Sequence, residues 1–303
     1  IALGGGVARG WAHIGVLRTL LAAGIEPDIV CGSSIGAVVG GCWVAGKLDT
    51  LEDWARALDR LRVLGYLDFR MRQPGLIGGN RLVAAMEENL GGVRIEELPR
   101  PFLAVATDLF TGHEVWLREG VLVPALRASI SMPGIFSPAK LDGRMLIDGA
   151  LVNPVPVAPC VALGAHVTIA VNLNGDLLSK TRVPGTDYAR VAGFDLLEVA
   201  ADAESERGLF GRTLGGLAGR AFRRSPGKPS LFGVMSQSLA IILDRMTRSR
   251  LAGDPPDVLI SPRIGHVGLA EFDRADELIA LGAQAAEAAL PDIRTAIASI
   301  TGA

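Results

Sequence analysis

Three shortages bound this sequence before any motif is read. Cysteine is scarce: Cys31, Cys42 and Cys160 are the only three in 303 residues. So few, odd in number and scattered, they exclude a disulfide framework. Their apolar neighbours indicate buried free thiols and a reducing compartment. Histidine is scarce too, and no Cys/His cluster has the spacing of a zinc site. No metal or cofactor is expected. Excess charge is also missing. A net charge of −2 gives the whole molecule no electrostatic footprint for nucleic acid, which is excluded as a partner on that ground. The opening IALGGG has neither an initiator Met nor the charged n-region of a signal peptide. A truncated start is allowed for, and the expected location is the cytoplasm.

What is present is apolar and patterned. With 49% hydrophobic and 20% charged residues, the chain can bury a large core. The stretch Ile29–Gly46 carries no charged side chain, which is about the minimum length of a membrane span. Its content is mainly Gly, Ala and Val, broken by Ser33 and Ser34, so a buried strand turning into a buried helix is the better reading. The same order of strand, glycine turn and helix occurs at the start, where Ile1–Leu3 precedes a helical pattern over about 9–23. That repetition indicates a layered α/β fold. Helices are further predicted over about 50–62, in VPALRASI, over about 270–289 and from Pro291 onward. Strands are predicted in FLAVATDL, HEVWLR, AHVTIAVNL and PDVLISPRI.

Three glycine patterns compete for function. LGGGVARG follows a strand and opens a helix, but with Gly4 and Gly6 as the first two glycines the sixth position is Arg9, so a dinucleotide loop fails. Gly41–Lys47 nearly spells a P-loop, yet Leu48 stands where a magnesium-binding hydroxyl belongs. The third pattern is Gly32-Ser33-Ser34-Ile35-Gly36, a G-x-S-x-G match centred on Ser34. A nucleophile on a sharp strand-to-helix turn needs small residues two positions away on either side. Ser33 would have Cys31 and Ile35 there, so Ser34 is the candidate.

A serine nucleophile needs a base and an oxyanion site. Among the four histidines, His13 lies in the first helix, His113 and His166 begin strands, and His266 alone follows Asp148 on a loop. The alternative base is Asp148, in LIDGALVNP, where a strand meets a small-residue turn. A carboxylate in water is a weak base, and burial beside the serine raises its pKa toward a useful value. Backbone N–H groups of Gly5, Gly6 and Val7, at a helix N-terminus, are the candidate oxyanion donors.

Taken together, LGGGVARGWAHIGVL, GSSIGA and DGALVNPVPV, with ATDLFTG and RASISMPGIFSP between the last two, resemble the patatin-like phospholipases. The resemblance is strongest to the bacterial branch and the esterase domain of neuropathy target esterase, and it covers roughly residues 1–175. It implies a three-layer α/β/α fold with a mostly parallel sheet and a nucleophile elbow. It further implies a serine acyl hydrolase acting on lipid or lysophospholipid esters through a Ser-Asp dyad, without a catalytic histidine. Ser34 matches the nucleophile and Asp148 the acid. Gly5, Gly6 and Val7 match the oxyanion loop, with Arg9 and Gly10 completing its motif. Gly32 and Gly36 flank the nucleophile, and Gly149 follows the acid. Val7 departs from the plant pattern, which has a third glycine there, so its backbone must suit a β-branched residue. The rival from another class is a non-catalytic binding or regulatory protein on the same fold.

One segment is unlike the rest. Between Arg207 and Arg250 stand nine basic residues and one acid, Asp244. A single domain over 1–303 is expected, with a variable insertion over 181–250. Phe210, Arg220, Arg223 and Arg224 make that insertion a candidate lid or a contact with anionic membrane at the inner face. The alternative is a solvated insertion paired with the acidic remainder. A second stripe (Phe232, Met235, Leu239, Ile242, Met246) is expected to face the core.

Overall fold

The computed structural model describes residues 1–59, 80–176 and 231–301. At its centre is an eight-stranded sheet. The strands are β1 (Ala2–Leu3), β2 (Val30–Ser33), β3 (Phe102–Asp108), β4 (Glu114–Leu117), β5 (Ala139–Leu141), β6 (Arg144–Asp148), β7 (Ile169–Val171) and β8 (Val258–Ile260). Strands β3, β2, β1, β7 and β8 lie side by side and parallel. Antiparallel pairs add β4 and β6 to β3, and β5 to β6.

The parallel strands are buried on both faces, and their side chains alternate between two cores. Leu3, Val30, Phe102, Ala104, Ile169 and Val171 join one cluster. Ala2, Cys31, Leu103, Val105 and Ala170 join the other. The first core is covered by α1 (Ala12–Ala22), α2 (Ile35–Val44), α3 (Leu48–Arg56), α4 (Asn80–Leu90), α5 (Leu122–Ser129) and α8 (Ala275–Thr301). The second is covered by α6 (Val157–Ala162), through Val157 and Cys160. Helix, sheet and helix thus form three layers, as the resemblance implies. A further helix, α7 (Leu231–Gly253), follows in the chain. Helices α1 and α8 approach until their backbones touch: a Cβ on Gly15 would lie 1.9 Å from the carbonyl oxygen of Ile279, and one on Gly282 2.0 Å from that of Ala12.

One detail of register positions the site. Strand β4 occupies one edge of β3 from Ala104 to Thr107. The opposite edge is shared, with β2 pairing through Ser33↔Val105 and β6 taking over at Asp148↔Ala106. The end of β2 therefore meets the end of β6 head-on.

Several expectations change. The first helical pattern is two elements, a 3-10 turn over Val7–Trp11 and then α1. Ile29–Gly46 is β2 followed by α2, and among the described residues no helix is long and apolar enough to cross a membrane. Pro291 does not start a helix but lies inside α8. It is exposed, so water can take the carbonyl that loses its N–H partner. The stripe expected of α7 is met in part: Leu239 packs against a buried cluster with Leu243 and Met132 and Met246 is half-buried, while the side chains of Phe232 and Met235 lie outside the described residues. Ala240, Leu243, Asp244 and Thr247 are buried, while Ile242 is 53% exposed. Asp244 can sit on the inner face because Arg248, one turn on, pairs with it at 2.9 Å, and no apolar pattern marks such a position. Phe210, Arg220, Arg223 and Arg224, and most of the expected insertion, lie outside the described residues.

Candidate active site

Ser34 sits between β2 and α2 with φ 54° and ψ −127°. A non-glycine residue at positive φ is strained by roughly 1–3 kcal/mol and persists only where its surroundings impose it. Two glycines allow the turn. A Cβ on Gly36 would lie 2.1 Å from the carbonyl oxygen of Leu3, and one on Gly32 2.4 Å from Cα of Ala37. A buried serine holds it. The Ser34 N–H donates to Ser129 Oγ at 2.9 Å, and that hydroxyl donates to the carbonyl of Val105 at 2.6 Å. Ser129, at the end of α5, is fully buried. Being the N-cap of α2, Ser34 also lies at the positive end of that helix dipole.

The head-on meeting of β2 and β6 brings Asp148 to this turn. Ser34 Oγ donates to Asp148 Oδ2 at 2.6 Å. The other carboxylate oxygen accepts the N–H of Ala150 at 2.8 Å. Thr107 Oγ1 donates to the Asp148 carbonyl at 2.8 Å, and the Asp148 N–H donates to the carbonyl of Ser131 at 3.0 Å. The side chain is completely buried, and burial raises its pKa to about 7 against the lowering effect of the Ser34 and Ala150 hydrogen bonds. The carboxyl thus changes charge near neutrality, where a general base is most effective.

The glycine loop approaches from β1. The amide of Gly4 donates to Val171 and that of Gly5 to Pro154, at 3.0 and 2.9 Å. The Gly5 amide is therefore committed to the scaffold, which revises the expected three-donor loop. The amides of Gly6 and Val7 have no protein acceptor among the described residues. Val7 takes φ 52°, the left-handed conformation that the missing third glycine would adopt freely. It is held there from the next residues. The Ala8 N–H donates to the Leu269 carbonyl at 3.1 Å. Arg9 Nε donates to the Val267 carbonyl at 2.7 Å and Nη2 to that of Gly265 at 3.2 Å. Arg9 is fully buried, and desolvation lowers its pKa to about 10, opposed by Asp176 and Glu271. It remains a cation and braces the loop. A Cβ on Gly10 would collide with Ile35 at 2.1 Å, so this glycine lets the 3-10 turn lie against α2. Gly149 likewise packs its Cα side on the Val105 carbonyl.

Two cavities meet at this point. One, of about 190 Å³, has Ser34 and Asp148 in its wall and continues between α2, α3 and α4. The second, of about 390 Å³, borders Gly5, Gly6 and the first half of α7. Val7, Met132 and Ile135 line both.

The histidines stand elsewhere. His266 pairs with Glu277 at 2.7 Å on the surface. His113 and His166 are exposed. His13 donates from Nε2 to the Gly4 carbonyl at 2.7 Å, and complete burial lowers its pKa to about 4, which keeps it neutral. It supports the glycine loop from below. No group of three His, Cys, Asp or Glu side chains among the described residues could hold a metal. Reading the sequence missed Ser129 and Thr107. Both lie in stretches that carry the resemblance, but a hydroxyl bonded to a distant main chain leaves no local pattern.

A sequence model described as patatin-like phospholipase matches residues 1–161. The chain belongs to the patatin-like phospholipase family. An uncharacterized NTE family protein of Mycobacterium bovis is 36% identical over 342 residues, which cover 100% of this chain and 95% of that protein. A second uncharacterized NTE family protein of M. bovis is 29% identical, over 97% of this chain but 47% of its own length. Neuropathy target esterase of Drosophila melanogaster is 32% identical over 57% of this chain and 13% of that one. Among solved structures, VipD from Legionella pneumophila aligns over 91% of this chain and 65% of that one, with TM-score 0.40 and 11% identity, too remote to carry an argument. Membership in the patatin-like family indicates lipid hydrolase activity.

Proposed function

We propose that this patatin-like chain is a serine acyl hydrolase that cleaves fatty-acyl esters of phospholipids or lysophospholipids through Ser34 and Asp148. The observation that carries the reading is the 2.6 Å hydrogen bond between Ser34 Oγ and the buried carboxyl of Asp148. In the first step Ser34 Oγ attacks the ester carbonyl carbon while its proton passes to Asp148 Oδ2. The new oxyanion accepts from the amides of Gly6 and Val7, with the α2 dipole in support. The intermediate collapses as the bond to the alcohol oxygen breaks, and Asp148 gives its proton to that oxygen. Water then attacks the acyl-serine and yields its proton to Asp148. The second intermediate releases the fatty acid, and the proton returns to Ser34 Oγ. No residue outside the pair needs to move a proton.

The whole chain is read as one catalytic domain with residues 181–250 as its insertion. Contact with anionic membrane is the proposed role of the basic run, on the strength of its charge alone. Hydrolysis of a panel of phospholipids and lysophospholipids, followed by product analysis, tests the function. Released fatty acid in wild type and none in Asp148→Asn is expected. Equal release by both proteins would overturn the dyad. Its absence from both, with lipid still bound, would favour the binding-protein rival.

A further inference from the structure

The uncharged helix α2 borders a cavity as well as the core. Its residues Ile35, Val38 and Cys42 stand at i, i+3 and i+7, one face of the helix, and that face lines the smaller cavity. Opposite it stand Leu51 of α3 and Met86 and Leu90 of α4. Ser34 and Asp148 lie at the near end. The polar residues Lys47, Thr50 and Asn89 lie at the far end, and all three are exposed. Between the two ends the walls are apolar. Seven residues of helix separate Ile35 from Cys42, a rise of about 10 Å.

The two cavities differ in what they can hold. The first is a slot of about 190 Å³, enclosed by three helices. The second is wider, about 390 Å³, and is also mostly apolar, with Asn174 and Ser238 as the polar side chains in its wall. Val7, whose amide is a candidate oxyanion donor, lies in the wall that both share. An ester carbonyl held there directs its carbon chain to one side and its alcohol oxygen to the other.

We propose that the slot along α2 is the acyl-chain site, that the wider cavity takes the alcohol portion, and that Cys42 sets the length of chain preferred. This rests on the acyl-hydrolase reading above. An extended zigzag chain with C–C bonds of about 1.5 Å advances about 1.3 Å per carbon, so about nine carbons span the rise of about 12 Å from Ser34 to Cys42. Cys42 is buried, and desolvation pushes its thiol up to about 12, so it presents a neutral apolar wall to the chain. Each methylene that enters such a slot favours binding by roughly threefold to fourfold.

The test uses p-nitrophenyl esters of saturated acids with 4, 8, 12 and 16 carbons, and reads the ratio of kcat/KM for each longer ester to that for the shortest. Wild type is expected to prefer the longer chains. Cys42→Phe should lower the 12-to-4 ratio at least tenfold, and Val38→Phe, nearer to Ser34, should lower the 8-to-4 ratio as well. Cys42→Ala lengthens the slot without overpacking it, and should raise the 12-to-4 ratio. Ile242→Trp, in the wider cavity, should leave the ratios where they are. Ratios that ignore all three changes at Val38 and Cys42, or that follow Ile242 instead, overturn the assignment in an enzyme that is still labelled at Ser34. A wild type that cleaves none of the esters and takes no fluorophosphonate contradicts the acyl-hydrolase reading itself.

Discussion

The hydroxyl of Ser129 joins the backbone amide of Ser34 to the carbonyl of Val105. The strained turn of the candidate nucleophile is thus tied to the central strand by one buried side chain. Removing that hydroxyl leaves an amide and a carbonyl unpaired, each costing roughly 1–3 kcal/mol. Ser129→Ala is expected to lower kcat by roughly tenfold to a hundredfold, with KM changed less than threefold, and Ser129→Thr should recover part of the loss. Steady-state kinetics on one ester check this. A fall in stability with kcat unchanged would make Ser129 a packing residue only.

The pH dependence of hydrolysis follows from Asp148. As the proposed base it must be ionised, and burial raises its pKa to about 7. The account predicts kcat/KM rising about tenfold per pH unit below that value and level above it, until the scaffold itself titrates. A profile already flat at about pH 5 would mean that the carboxyl is not buried in the working enzyme, or is not the base.

The same carboxyl has a cost in stability. Burial raises it from 3.8 to about 7, so the folded state keeps a proton that the unfolded chain has lost between those values. Stability contributed by this group is present below about pH 4, falls as pH rises to about 7, and is level beyond. The penalty is on the order of a few kcal/mol. Asp148→Asn should therefore unfold at a higher temperature than wild type at about pH 8, with the gap narrowing toward about pH 4. Thermal unfolding at the two pH values measures it. A variant less stable than wild type at the higher pH contradicts the burial argument.

Val7 is the next residue whose backbone conformation is set against its side chain. At φ 52° a β-branched residue is disfavoured by about 1–2 kcal/mol, while a glycine adds about 1 kcal/mol of unfolded-state entropy. Val7→Gly is expected to leave stability within about 1 kcal/mol and to retain hydrolysis within about threefold, because the amide is unchanged. Chemical denaturation and kinetics decide. A loss above a hundredfold would show that the Val7 side chain, and not its N–H, carries the role.

These residues also show what a sequence discloses. Ser34 was legible because its constraint is local: the glycines two positions either side are fixed by contact with Leu3 and Ala37. Asp148 was legible through its Asp-Gly turn and the resemblance, whereas the register that delivers it, Asp148 beside Ala106 and Ser33 beside Val105, is a property of strand pairing that no local pattern encodes. The commitment of the Gly5 amide to Pro154 was hidden for the same reason. The buried polar positions of α7 left no mark in its apolar pattern, because Asp244 pairs with Arg248 and Thr247 returns its hydroxyl to the Leu243 carbonyl. Polar residues that satisfy themselves within a helix do not break its burial, only its hydrophobic pattern.

The central claim is that Ser34, set beside Asp148, is a nucleophile. Covalent labelling by a fluorophosphonate, read by mass spectrometry of the modified peptide, tests it most directly. The account predicts one adduct, on Ser34, in wild type and none in Ser34→Ala, with Asp148→Asn labelled far more slowly. An adduct that persists in Ser34→Ala, or a folded wild type that takes no label, contradicts it.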